Sequence, residues 1–467
     1  MNKTGILLAS ILVSMAAQAA PADFRAGFAR VDVTPPDGAF VPGYFSERYG
    51  RGADTPLVAE CLALEGGGAT GLVFSVDNIH LTKNTIAAAT EMIGRRLGVD
   101  RARVFIASTH IHTGAATDLD YYGGNIGSAE GRRLTELYGH FMETRLVDAA
   151  AAAVADLAPA RLSVARAKCE GLAFIRRYRM KDGAVETNPS RNQDIDHVLG
   201  EADEMLQLVR FRREGASDIA LVNFQCHPDT IGGNRYHADW PGVLRATFER
   251  ALADGTHCFF LNGAQGDSNH HWRQNVPAWR RQMPRRDVHV HMGRKLAGAA
   301  LGLWDACEEI GEGAVAGAVT MARVPSNRPT PDEVRYLDLY DAGRAKEIPL
   351  KGMELTTLVS KGGRARKLRN GPDYFDMPVS SVAVGQALAF AGFPGEPFAQ
   401  LGLDVKAASP FKVTLVACLV NESFGYLPAS KCYQEGGYEV LSSRFASPVG
   451  DVLVKTQLDQ LNRLFGK

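Results

Sequence analysis

The sequence predicts an α/β protein, a single large sandwich-type catalytic domain on a mixed sheet, with its site at the C-terminal ends of strands. Three observations lead there. Short apolar runs rich in β-branched and aromatic residues alternate with helical patterns along the chain. The 467 residues, 45% hydrophobic and 22% charged, have the make-up of a packed globular chain and not of a disordered one. Several apolar runs also stop abruptly at His, Asp or Glu, where open α/β sheets gather ligand chemistry.

The elements follow in chain order. Residues 1–19 read as a secretory signal peptide: Lys3 is the positive start, Gly5 to Ala17 the apolar centre, and Ala17-Gln18-Ala19 the cleavage site. That stretch is short for a membrane span, and no other segment has about 18 unbroken apolar residues. The expected mature chain, 20–467, is one hydrolase domain, soluble and exported to the periplasm or secreted. "GFARVDVTPPDG" alternates into a strand that Pro35-Pro36 stops. "LVAECLALEGGGATGLVFSVDNIHL" reads as two strands about a glycine turn, and no Gly-Lys-Ser/Thr follows to make a phosphate loop. Lys83 to Leu97 carry helical spacing, then "RVFIAS" is a short buried strand. "EGRRLTELYGHFMETRLVDAAAAAVADL" is a long alanine-rich helix. "EMLQLVRFR" and "IALVNFQCH" flank "REGASD" as a hairpin, and "DWPGVLRATFERALADG" is a helix whose Asp239 and Pro241 suit a start. "CFFLNGAQGD" is a buried strand ending in glycines. Residues Pro325 to Pro378 are polar, glycine-rich and basic, and read as an excursion from the core.

Charge and cysteines exclude several functions. Lys+Arg and Asp+Glu both number 52, so there is no global basic field for nucleic acid or an anionic membrane. The basic runs Arg280 to Arg286 and Lys361 to Arg369 read as solvated faces. Seven cysteines without a C-x-x-C pair exclude a cysteine zinc site or redox motif, and the odd count leaves at least one thiol free or intermolecular.

The polar strand ends carry the chemistry. In "FIASTHIHTGAAT", strand alternation would turn His110 and His112 to one face, which suits a metal or proton-transfer site or a pair of backbone-satisfied core histidines. "VNFQCHPDT" ends at His227; "FFLNGAQGDSNHHW" ends at Asp267, with Asn269, His270 and His271 beyond. "QALAFAGFPGEPF" ends at Glu396, and Tyr426 and Tyr438 follow the strand "KVTLVACLV". Two imidazoles and a carboxylate from separate strands make a zinc set with open positions for water. Spacing alone reaches a hydrolytic metal site and does not nominate Tyr426. Asp239 reads as a helix cap. Asp267, Asp77 and His80 are each open to a supporting or a turn role, and His270 and His271 read as loop residues.

Taken together, "THIHTG", "NFQCHPDT", "HADWPG", "NGAQGD", "GFPGEPF" and "GYLPASKCYQEGGYE" stand in an order that resembles the neutral (alkaline, non-lysosomal) ceramidase family, over about Gly27 to Glu439. The resemblance implies one zinc ion (Zn2+) per chain held by His110, His227, Glu396 and Tyr426, and cleavage of a linear amide. It implies that His112 works at the reacting centre, and that Tyr438 and Arg191, the arginine of "NPSRN", stabilise the oxyanion. Thr109 and Thr113 would fix the histidine rings. The expected partner is a small-molecule or lipid amide, first an N-acyl amine of ceramide type. Another amide, an ester or a lactone is the alternative, as is a degenerate member that only binds a lipid or glycan. Peripheral membrane contact would suit a lipid substrate, nucleic acid is not expected, and no motif sets the oligomeric state. Two departures stand out: the family's "GDxS" serine is Asn269 here, with Ser268 shifted by one, and no C-terminal immunoglobulin-like domain is expected after Tyr438.

Overall fold

In the computed structural model, which describes residues 24–44, 46–189, 192–270, 287–349, 366 and 368–466, the apolar runs pair into two main sheets. The expected signal peptide, Arg191 and His271 lie outside the described residues. The larger sheet contains β1 (Arg25–Asp32), β2 (Val58–Gly66), β3 (Ala69–Val76), β4 (Val104–Ser108), β5 (Ala158–Lys168), β6 (Met205–Arg213), β7 (Ile219–Phe224) and β8 (His257–Asn262). Its order is β8-β7-β6-β5-β1-β2-β3-β4. The smaller sheet runs in sequence order through β9 (Val315–Pro325), β10 (Tyr374–Val384), β11 (Leu388–Gly392) and β12 (Val413–Ala417). The main helices are α1 (Lys83–Leu97), α2 (Ala129–Ala155), α3 (Asp239–Leu252), α4 (Val288–Leu303), α5 (Ala399–Ala408) and α6 (Val449–Phe465).

The sheets pack face to face with helices outside, a four-layer sandwich of the expected mixed α/β class. One core joins Phe28, Phe105, Phe211 and Phe259 of the larger sheet to Val382, Phe390 and Leu415 of the smaller. Period-2 alternation explains how a single run serves two layers. In β7, Ile219 and Leu221 enter the inter-sheet core, while Ala220, Val222 and Phe224 turn to Phe248 of α3 and Leu296 of α4. In β4, Phe105 and Ala107 face the smaller sheet, and Val104 and Ile106 face α1 and α2. Helices α5 and α6 cover the far face of the smaller sheet through Leu401, Leu453 and Leu461.

Most strand pairs are antiparallel, including the expected hairpins β2–β3 and β6–β7. Within the two main sheets three described pairs are parallel: β3–β4, β7–β8 and β11–β12, with α1, α3 and α5 as their crossovers. The strand ends with the candidate residues belong to these three units.

The region Pro325–Pro378 is only in part an excursion. Pro331–Asp341 is a helix with a Thr330–Glu333 capping box, and Tyr374 opens β10. The first half of β10 alternates between exposed and covered residues, which is why its composition reads as polar. None of the seven cysteines is in a disulfide, and six are buried. No helix among the described residues is long and apolar enough to cross a membrane.

Candidate metal centre

Strand β4 stops at Ser108, and the chain then turns sharply. The Thr109 amide donates to the Val76 carbonyl at 2.9 Å, and the His110 amide to that of Asn78 at 2.9 Å. His110 has φ 72°, a left-handed conformation that costs a non-glycine residue and marks functional sites. The two histidines do converge, with Nε2 atoms 3.3 Å apart. This turn, and not strand alternation, brings them together.

Each imidazole is oriented by a backbone carbonyl. His110 Nδ1 lies 2.8 Å from the Ile79 oxygen, and His112 Nδ1 lies 3.2 Å from that of Gly43. Gly43 has φ 103°, and a Cβ there would stand 3.0 Å from His112 Nδ1. His227 Nδ1 lies 2.8 Å from the Gln265 oxygen and 3.0 Å from that of Ser268. Carbonyl oxygens only accept, so each of the three rings carries a proton on Nδ1 and turns its Nε2 inward. Ligand atoms of His110, His112 and His227 lie within 4.8 Å of one another.

Glu396 comes from the smaller sheet. Glu396–Pro397 pairs in parallel with Tyr426–Leu427, and the register sets Glu396 beside Tyr426 on one face. Its Oε2 lies 3.3 Å from Nε2 of both His110 and His227. Gly266 makes this approach possible, since a Cβ there would sit 2.3 Å from the Glu396 carbonyl oxygen. His227 Nε2 and Glu396 Oε2 are buried with no hydrogen-bond partner among the described residues. Lone pairs on inward-facing nitrogens beside a carboxylate are costly in a buried site until a cation sits among them. The donor set, imidazole nitrogen with carboxylate oxygen, fits a divalent metal ion. Burial would raise the Glu396 carboxyl, but His110 and His227 beside it hold it well below the usual range. Burial, helped by the neighbouring His110, takes His112 down to about 3, and burial also lowers His227. Both rings stay neutral, the state a ligand or acceptor needs.

Tyr426 has a cationic neighbour. Arg176 Nη2 donates to its hydroxyl oxygen at 2.9 Å and to the Gly266 carbonyl at 3.1 Å, while Nε donates to Glu439 at 2.7 Å. Burial raises the Tyr426 phenol, and the guanidinium opposes that rise. Tyr438 stands beside it, with ring centroids 5.7 Å apart. Arg191 lies outside the described residues, and the arginine seen at the site is Arg176. Its sequence signal is the pair "RR" breaking the apolar run "LAFI", which reads as an ordinary basic strand edge.

Other residues fix the loops. Asn262 Nδ2 donates to the Thr109 carbonyl at 2.9 Å and to that of Cys226 at 3.2 Å, tying together the peptides just before His110 and His227. Asp77 takes a 2.5 Å bond from Arg245 Nη2 and a 3.3 Å bond from Thr109 Oγ1, so its role is loop support. Neither threonine touches a histidine ring as expected, because Thr109 bonds Asp77 and Thr113 bonds the His237 carbonyl at 2.7 Å. Asp239 holds Thr230 and the Ile231 amide, and its own amide donates to His237 Nδ1 at 2.8 Å. Asp267 accepts the Ala399 amide at 2.8 Å, and burial pushes its carboxyl up to about 6. His270 is buried and lies 2.9 Å from Asp229, so it is no loose loop residue. Ser268 and Asn269 pair with Phe174–Ile175, the strand that delivers Arg176.

Above His110, His112, Glu396, Tyr426 and Tyr438 opens a cavity of about 320 Å³, walled also by His80, Tyr121 and Tyr122. The fold has solved counterparts. The chain is similar to neutral ceramidase from Pseudomonas aeruginosa, with a TM-score of 0.72 at 17% identity, covering 95% of this chain and 75% of that one. A ceramidase complexed with C2 gives a TM-score of 0.70 at 15% identity, covering 95% and 76%. No protein-family profile and no curated protein matches the sequence. The likeness establishes a neutral-ceramidase-like fold, as the ordered motifs predicted.

Proposed function

We propose that this chain is an exported zinc-dependent hydrolase that cleaves a linear amide, first an N-acyl amine. The observation that carries the reading is the convergence of three Nδ1-anchored imidazoles and the Glu396 carboxylate at the ends of parallel strands, in a fold shared with ceramidases. In this reading His110, His227, Glu396 and Tyr426 hold the ion, and Arg176 favours the ionised form of Tyr426. A divalent ion so held supplies Lewis acidity toward the scissile carbonyl and a lowered pKa for water. The cavity walls orient the substrate against the cluster. The Tyr438 hydroxyl donates to the oxyanion that develops on the carbonyl, a donor worth roughly 3 kcal/mol in such sites. His112, the most open of the three rings, takes the proton from the attacking water and passes it to the leaving amine.

A second reading rests on size. A cavity of about 320 Å³ is at the low end for ligand pockets and favours a compact amide, ester or lactone over a two-tailed lipid. Elemental analysis of wild type and His227→Ala, with hydrolysis of ceramide and a short N-acyl amine on the same preparations, tests both. One zinc per chain, lost together with amide cleavage in the variant, is the expected result. Zinc with no cleavage of either substrate would reject the amide reading, and absence of zinc would reject the ligand set.

A further inference from the structure

A second cavity, of about 470 Å³, opens between α3, α4 and the first strands of the larger sheet. It shares no lining residue with the cavity above His110, and its size falls in the range of small-molecule pockets. Pro56, Val58, Val243, Ala246 and Val290 give it an apolar body. Its polar wall begins at His237, which is only 8% exposed. The Asp239 amide donates to His237 Nδ1 at 2.8 Å. A backbone amide only donates, so Nδ1 is the accepting nitrogen and the proton of the neutral ring is on Nε2. Burial lowers the imidazole pKa and so favours that neutral form. His289 meets the ring edge-on, with centroids 4.8 Å apart, and no described residue accepts from Nε2. Thr55 adds a second donor. Its Oγ1 accepts the Ala238 amide at 2.8 Å, and its hydroxyl proton has no acceptor among the described residues.

The charged groups on the wall divide into engaged and open. Glu249 accepts from both Arg30 Nη atoms, at 3.1 and 2.7 Å, and from the Cys258 amide at 2.8 Å. Asp239 accepts from Thr230 and the Ile231 amide, and Arg245 is held by Asp77 and Glu60. Arg250 and Arg294 are exposed at the rim, with no bonded partner among the described residues. The cavity thus offers an imidazole N–H, a hydroxyl and two guanidinium groups, and no unmatched carboxylate. A buried donor left without an acceptor costs free energy that a ligand oxygen would return. Asp239 and Glu249 limit the charge that fits beside them, so one negative charge is accommodated and a polyanion is repelled.

We propose that this cavity is a second ligand site, for a compact organic monocarboxylate with an apolar tail. The carboxylate accepts from His237 Nε2 and Thr55 Oγ1 within the field of Arg250 and Arg294, and the tail lies against Val58, Val243 and Val290. The site stands independently of the chemistry proposed for the metal centre, although hydrolysis of an N-acyl amine would release a ligand of this class.

Zinc-loaded full-length protein is titrated calorimetrically with hexanoate, hexanol, hexylamine and inorganic phosphate. Hexanoate should bind roughly 10- to 100-fold more tightly than hexanol, the span of one or two charge-assisted hydrogen bonds. Hexylamine and phosphate should bind no better than hexanol. A carboxylate also binds metal ions, so variants locate the site. Arg250→Gln combined with Arg294→Gln changes two exposed side chains and should weaken hexanoate roughly tenfold or more. His237→Phe keeps a ring and removes the donor, and it should do the same, with the melting temperature checked because the Asp239 amide loses its acceptor. His227→Ala, which removes a proposed metal ligand, should leave this binding in place. Hydrogen exchange on adding hexanoate to wild type should show protection rising in 237–250, a reading that stands even where His237→Phe does not fold. Hexanoate binding no better than hexanol would overturn the site. So would binding that survives the arginine double variant and is lost in His227→Ala, or phosphate binding more tightly than hexanoate, or protection unchanged in 237–250.

Discussion

At the scale of single residues, the three converged imidazoles differ in how they are held, and the proposed function uses that difference to divide ligand from catalyst. His110 and His227 are buried, with Nδ1 bonds of 2.8 Å, whereas His112 is more open and its Nδ1 bond is 3.2 Å. His112→Asn should therefore keep stoichiometric zinc while kcat falls by roughly 10²- to 10⁴-fold, the range for losing a general acid-base group. Metal titration beside steady-state kinetics reads both, and loss of zinc from this variant would make His112 a ligand instead. Much of this residue set was legible because polar side chains at the ends of apolar runs have no packing reason to be there. His110, His112, His227, Glu396, Tyr426 and Tyr438 could all be named from that pattern and the ordered motifs. Arg176 could not, since an arginine becomes a tyrosine's partner only when a distant strand is laid beside it. The left-handed turn at His110 was equally hidden, because nothing local in "STHIHT" departs from strand alternation until the Asn78 carbonyl captures the His110 amide.

At the scale of elements, the site depends on loops held together by side chains from strand ends. Asn262, at the end of β8, bridges the peptides before His110 and His227 with two donor bonds. Asn262→Ala should weaken zinc binding by roughly 10- to 100-fold, as loss of an outer support does. It should also lower stability by about 1–3 kcal/mol by stranding buried carbonyls. Zinc affinity unchanged against a lowered unfolding midpoint would reduce Asn262 to a structural role. Asp267, in the loop after β8, is coupled to the start of α5 by the Ala399 amide. Its folded pKa, about 6, is above the ordinary 3.8, so in that window the folded state keeps a proton that the unfolded state has released. Stability must then fall as pH rises from about 4 to about 6. Wild type should gain on Asp267→Asn as pH is lowered across that window, measured by urea unfolding at each pH, and parallel curves would deny the raised pKa. The helices and hairpins were readable from periodicity and glycine turns. The division of the strands between two sheets was not, because β4, β7, β11 and β12 are equally apolar runs, buried on both faces, and local pattern does not say which sheet a buried strand joins.

At the scale of the whole molecule, the proposed ion would join the two sheets at one end of the sandwich. His110 and His227 follow β4 and β7 of the larger sheet, and Glu396 and Tyr426 follow β11 and β12 of the smaller. Away from that end the sheets meet in a mainly apolar core, as at Phe105 and Phe390, whose rings lie 6.0 Å apart, with a few hydrogen bonds such as that from Asn223 to the Val416 carbonyl. Metal removal should therefore loosen one end of the sandwich and leave its centre intact. An ion that binds only the folded chain stabilises it by about 4 kcal/mol at a free concentration a thousand times its Kd. Chelated wild type should melt several degrees below the zinc-loaded protein, and His227→Ala should melt alike with and without chelator. Hydrogen exchange adds the spatial reading: protection should fall in 109–113 and 393–427 on chelation while the amides of β4 and β10 hold theirs. A melting shift with no change in those two segments would mean that the ion binds elsewhere, and equal protection losses in both sheets would mean that it is required for the fold as a whole.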